Sequence, residues 1–217
     1  MTIFARYYEN KKLKEYSMKD IENFITDEGN KELIANLLFH RYYDRYLKLF
    51  FYSSNKVEEY TENKNGREIT KSCNVFNTEY KSGFIIMTNC CLLIETLASY
   101  FEGTNKTPQS SGQESFNRFF EKASKYKNPL KTFANISFYR DIRNGLLHQG
   151  ETYGNFKIRR EGKLFDRTEK AINAKLFCDH LKEFLELYKK ELITEKWDGE
   201  TWDRCRVKLR YIINNSK

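Results

Sequence analysis

Proline is nearly missing from the chain: 217 residues contain 2, beside 10 glycines. So few breakers disfavour a sandwich or barrel of many short strands and favour long helices. The five cysteines, Cys73, Cys90, Cys91, Cys178 and Cys205, include no CxxC pair. An odd set without that spacing gives neither a zinc site nor a disulfide framework. Cys90 and Cys91 lie inside an apolar stretch and read as small core residues. The opening Met-Thr-Ile-Phe-Ala-Arg-Tyr-Tyr has no secretory apolar region. The most apolar run, residues 84–98, is interrupted by Thr88, Asn89 and Glu95. It reads as too short and too polar to span a bilayer. No internal repeat, low-complexity tract or carboxylate cluster of metal-binding type is present. These absences lead to the expectation of a cytoplasmic protein with no membrane partner, no metal and no cofactor.

What is plentiful is aromatic and positive. Aromatics make up 16% of the chain, with 15 Tyr and 17 Phe. Hydrophobic residues reach 40% and charged residues 31%, so a sizeable core is expected and disorder is not. The formal net charge of +8 favours polyanionic partners, nucleic acid before anionic membrane.

Periodicity predicts an all-α fold with a small inserted β-hairpin. Ser17 and Asp20 form a capping-box pattern for a helix over 17–26, with Asp in place of Glu. Leu33, Leu37, Leu38, Tyr42, Leu49 and Phe50 recur at helical spacing over 30–52. Residues 55–72 are polar and carry Asn65-Gly66, which suits a small hairpin or an exposed loop. The strongest core helix is 83–102, closed by Gly103. Residues 104–113 read as a loop, and helices follow over 114–126 and, after Pro129, over about 130–148. Residues 155–160 and 163–165 flank Glu161-Gly162 as a basic hairpin. Helices over 169–194 and from Gly199 to about Ile213 complete the chain.

One segment concentrates chemistry: Arg143-Asn144-Gly145-Leu146-Leu147-His148. It joins a permanent cation, an amide and the side chain that titrates near neutrality. Asn144 and His148 are one helical turn apart. Arg143 and His148 are five apart, which splays them by about 140° on an ideal helix. They converge only where the helix end distorts or a second subunit completes the site.

The pattern Arg-Asn, three residues, His resembles the signature of HEPN domains, helical domains found across prokaryotic toxin and defence systems. Residues Ile94 to Gly103 resemble the family's first core helix with its acidic residue, here Glu95, and residues Phe138 to Gln149 resemble the helix that carries the motif. The resemblance covers roughly 80–192. It implies a HEPN-like antiparallel bundle over 80–194; outside it, the residue pattern gives a helical N-terminal extension with a polar loop over 1–79 and a basic C-terminal helix over 195–217 packing on the same domain. It further implies a homodimer with two motifs facing one cleft, and metal-independent cleavage of RNA as a toxin or abortive-infection effector. An antitoxin or sensor protein is the expected partner beside RNA. The alternative is a catalytically silent RNA-binding or regulatory module of the same fold.

In such a site His148 is the general acid and base, Arg143 faces the phosphorane, and Asn144 holds the phosphate or a base edge. Glu95 is open between two roles: a buried acid that orients His148 or pairs Arg143, or a member of a polar stripe facing solvent. Arg140, Lys157, Arg159, Arg160 and Lys163 are candidate RNA contacts, the last four around Phe156 and Phe165 on the basic hairpin. A merely solvated hairpin is the competing possibility. His40 is expected at the surface or an interface, and His180 in a structural role.

Overall fold

In a computed structural model the described residues are 2–9, 11–51, 57–64, 67–74, 82–105 and 112–216. Helix dominates, accompanied by small sheets. The chain opens with a hairpin that the sequence reading lacks, β1 (Ile3–Glu9) with β2 (Lys12–Ser17). A register shift between Ile3 and Ala5 turns both Phe4 and Ala5 inward. That bulge spoils the two-residue alternation by which a strand is recognised.

Helix α1 (Met18–Phe24) starts at the predicted capping box: the Ser17 backbone N–H donates to Asp20 at 2.7 Å, and Asp20 N–H donates to Ser17 Oγ at 3.2 Å. Helix α2 (Lys31–Tyr42) widens into a π turn, Tyr43–Leu47, before a last α turn, α3 (Lys48–Phe51). Strands β3 (Val57–Lys64) and β4 (Arg67–Asn74) form the second hairpin, with Lys64 opposite Arg67. Asn65-Gly66, expected at its turn, and residues 106–111 of the expected loop lie outside the described residues.

Helix α4 (Gly83–Glu102) is central, and Gly103 closes it in the left-handed conformation at φ +62°. It is long and apolar enough to cross a membrane by length and composition, which corrects the expectation drawn from 84–98. Most of it is nevertheless buried, packed on α5 (Gly112–Lys125), α7 (Ala174–Thr194) and α8 (Glu200–Asn214). Phe116, Phe119, Phe120, Phe133, Phe138, Phe177 and Phe184 fill the interior between these helices. Truncating one of them to Ala is expected to cost about 3–5 kcal/mol. The core is continuous from Phe4 to Ile213. Tyr42 and Tyr100 join their hydroxyls at 2.8 Å inside it, and Trp202 donates to the Leu192 carbonyl at 2.8 Å.

Two expectations need correction. The helix predicted over 130–148 is a 3-10 segment (Pro129–Phe133), a bend, a π turn (Tyr139–Asn144) and a short helix α6 (Gly145–Gln149). Phe133 and Phe138 are both fully buried, yet five residues apart they diverge on a continuous helix. Breaking the helix between them lets both rings enter the core. The inserted hairpin is not a hairpin. Strand β5 (Lys157–Arg159) pairs parallel to β7 (Ala171–Asn173), and β6 (Phe165–Asp166) pairs antiparallel to the other side of β7. The buried Ala171-Ile172 pair makes β7 the middle strand, so the expected helix over 169–194 starts only at Ala174. The fold is therefore mainly helical rather than all-α.

Candidate active site at the α6 helix end

Arg143 stands at the end of the π turn, and His148 stands in the short helix α6 that follows it. Arg143 Nη1 lies 3.4 Å from His148 Nε2 within one chain. The long Arg143 side chain thus reaches His148 within one chain, and their contact does not require a second subunit.

Arg143 sits in a frame of four neighbours. Its Nε and Nη2 fork onto the Glu95 carboxylate, with the shortest contact at 2.9 Å. Its Nη1 also donates to Asn144 Oδ1 at 3.1 Å. The Tyr139 ring, centred 5.2 Å from the guanidinium carbon, covers one face. The Arg143 and Glu95 side chains are 16% and 22% exposed, so the pair is held largely out of water. Glu95 is therefore the partner of Arg143, the first of its two expected roles. Because a guanidinium only donates, His148 Nε2 can enter this contact only as the acceptor. His148 itself is exposed at the helix end.

Two glycines shape the frame, and neither was singled out from sequence. A Cβ on Gly145 would lie 2.3 Å from the Glu151 carbonyl oxygen, so glycine here lets the returning chain press against α6. A Cβ on Gly112 would meet the Tyr139 ring at 2.2 Å; the bare backbone at the start of α5 lets that ring lie close to it. Tyr139 was also missed; an aromatic four residues before Arg143 was the available signal.

The expected RNA contacts separate. Arg140 is exposed but forks onto Asp141 at 2.6 and 3.0 Å, which holds it more firmly charged. Lys157 and Arg159 share Glu169, at 2.9 and 3.5 Å. That pairing pulls the Glu169 carboxyl below its ordinary range, Lys157 contributing most. Arg160 and Lys163 are exposed beside β5 and in the turn before β6. The expected basic ladder is thus an interleaved set of charges. His40 is half-buried and stacks on Tyr7, ring centroids 4.4 Å apart. His180 contacts Glu183 at 2.9 Å. Among the described residues no three His, Cys, Asp or Glu side chains converge as a metal ion would need.

The outward face of α4 runs beside this frame. Ile85 and Leu92 are exposed on it, and a groove of about 160 Å³ lies between Phe84, Ile85, Thr88 and Asn89 on one side and Leu146 of α6 and its capping Gly150 on the other. Compared with known proteins, the chain matches no family model, no curated protein and no solved structure.

Proposed function

We propose that this chain is a metal-independent endoribonuclease of HEPN type, a cytoplasmic toxin or antiviral effector. The observation that carries this is the convergence of Arg143, Asn144, His148 and Glu95 at one accessible helix end. In the proposed step His148 takes the proton of a ribose 2′-OH. The 2′-oxygen attacks phosphorus, the bond to the 5′-oxygen breaks, and that oxygen takes up a proton. The products are a 2′,3′-cyclic phosphate and a 5′-hydroxyl. Arg143 offers its fixed positive charge to the crowded phosphorane. The nucleophile is already tethered next to phosphorus, so no water needs activation. Glu95 and Tyr139 hold the guanidinium in place.

A homodimer fits this proposal. A second copy laid on the α4 face over Ile85 and Leu92 would cover exposed apolar surface and bring a second His148 as the acid. RNA and an antitoxin or sensor protein are the proposed partners.

One observation favours the silent module instead. The N–H groups of Arg143 are engaged by Glu95, Asn144 and His148, so a phosphate must displace one of these contacts to reach them. A single assay separates the two. Labelled single-stranded RNA is incubated with the pure protein in EDTA, beside its all-deoxy counterpart. The nuclease cuts RNA only, and His148→Ala slows cleavage by about 10²-fold or more. Arg143→Ala is similarly impaired, with its melting curve recorded beside it. RNA bound but left intact supports the silent module; cleavage of the deoxy strand, or a fully active His148→Ala protein, overturns the mechanism. Light scattering at micromolar concentration tests the dimer, and a monomer that still cleaves excludes a shared site.

A further inference from the structure

A second set of cations gathers where α2 passes into the first π turn, on residues the nuclease proposal does not use. A cleft of about 330 Å³ opens there between the β1 edge and His40, Arg41, Asp44 and Arg45. Arg41 lies against its inner wall and is 6% exposed. Its Nη1 donates to the Phe4 carbonyl at 2.5 Å, the Phe4 ring lies 4.3 Å from the guanidinium carbon, and the Tyr42 hydroxyl is its other polar neighbour. Its Nε is buried with no acceptor, and no carboxylate pairs with it among the described residues. Arg45, one turn on, makes no hydrogen bond or ion pair with any described residue. Partial burial disfavours its charged form, and the nearby Arg41 charge adds to that. Among the described residues the one carboxylate lining the cleft, Asp44, is engaged with Lys48 at 3.1 Å.

A guanidinium keeps its charge at any working pH, and a buried charge without a counter-charge is costly. Arg41 is such a group, and the exposed Arg45 sets a second cation at the same cleft, so that an anion between them completes the charge set. Their planar forks match the oxygens of a phosphate better than a spherical ion. We propose that this cleft binds the phosphate group of a mononucleotide-sized ligand between Arg41 and Arg45. Its volume falls at the lower end of small-molecule sites, which begin near about 300 Å³. The His40 ring, stacked on Tyr7, gives a flat surface at the cleft against which a base can lie. The site is independent of the motif at Arg143.

Calorimetric titration of the full chain tests this, with 5′-AMP, inorganic phosphate and an all-deoxy oligonucleotide at matched ionic strength. One 5′-AMP is expected per chain, weakened about tenfold or more by Arg45→Ala, the loss of one charge-assisted contact. Arg45 is exposed, so its variants are expected to melt as the parent does, and Arg45→Lys should recover part of the affinity. A deoxy oligonucleotide that binds more tightly than 5′-AMP, and is lost in the same variants, assigns the phosphate to a nucleic-acid backbone; 5′-AMP and phosphate binding without it assign a free ligand. No binding of any of the three, or equal 5′-AMP binding by the parent and Arg45→Glu, overturns the proposal. So does 5′-AMP binding that survives Arg45→Glu and disappears in Arg143→Ala.

Discussion

Among the described residues two stretches of helix widen into π turns, Tyr43–Leu47 and Tyr139–Asn144, and each has arginines beside it. They are completed differently. At the second turn Arg143 meets a carboxylate from a helix 48 positions away, plus an amide and an imidazole. At the first, Arg41 meets a carbonyl, a hydroxyl and a phenyl face, while Arg45 meets no carboxylate among the described residues. Single π turns interrupting helices often mark functional sites. Here the same widening yields a self-complementary cluster in one place and an unbalanced pair of cations in the other. The second suits chemistry on a transient charge; the first suits holding a permanent anion.

Gly145→Ala should produce the largest effect on this contrast. Its new methyl would collide with backbone, the Glu151 carbonyl at 2.3 Å and Thr152 Cα at 3.1 Å, rather than with a side chain that can swing away. The expected loss is about 3 kcal/mol in a urea melt, near the upper end for overpacking. RNA cleavage should fall further than stability does, since α6 carries His148. An unchanged melt would show that the 151–152 segment yields easily and does not fix α6.

Next in size is Glu95→Gln. The substitution keeps the shape and removes the charge facing Arg143. With both side chains mostly shielded, a loss of about 1–2 kcal/mol is expected, more than for an exposed pair and less than for a fully buried one. Glu169→Gln is the natural control: Lys157 and Arg159 are half-exposed around it, so a change within about 0.5 kcal/mol is expected. Cleavage should drop on the order of tenfold in Glu95→Gln, because a loosened guanidinium is misplaced for the phosphorane. A faster enzyme would instead mean that Glu95 restrains Arg143 in a resting state.

Much of the helical framework was legible because it rests on local rules. The Ser17–Asp20 box, the 83–102 helix and its Gly103 cap are patterns within a few residues. What escaped depends on partners distant in sequence or on very short elements. Strands of two and three residues such as β6 and β7 hold too few positions to show a period. The hairpin β1–β2 hid behind its bulge. Both π turns were invisible, since the apolar positions around them still fit a 3.6-residue repeat within a single turn. The motif segment was legible as chemistry, but its frame was not. That Glu95 and not solvent faces Arg143, and that Gly112 lets Tyr139 close over it, follow only from packing between α4, α5 and the π turn. The ion pairs that interleave the basic strand β5 likewise needed Glu169 to be placed beside it in space.

The smallest expected effect is a pH dependence at His40, at the entrance to the first π turn. Burial lowers its pKa; Lys189 and Lys48 act in the same direction, and Asp44 opposes them. Tyr7 stacks on its ring and Phe39 meets it edge-on at 5.4 Å. In the unfolded chain the group titrates near about 6.5, and in the fold it titrates lower. Between those two values the unfolded state binds more protons, so stability declines as pH falls through that window. Above the unfolded value both states are neutral and the contribution of His40 is complete; below the folded value it is lost. His40→Phe retains an aromatic ring against Tyr7 and removes the titration. Its melting temperature should therefore change less than the parent's between about pH 7.5 and pH 5.5, a range spanning the ordinary histidine value. If the parent gains stability on acidification relative to His40→Phe, then Asp44 outweighs burial at this position. The cleft would then hold an effective counter-charge of its own, the need for an external phosphate would weaken, and the two π turns would be more alike than their hydrogen bonds suggest.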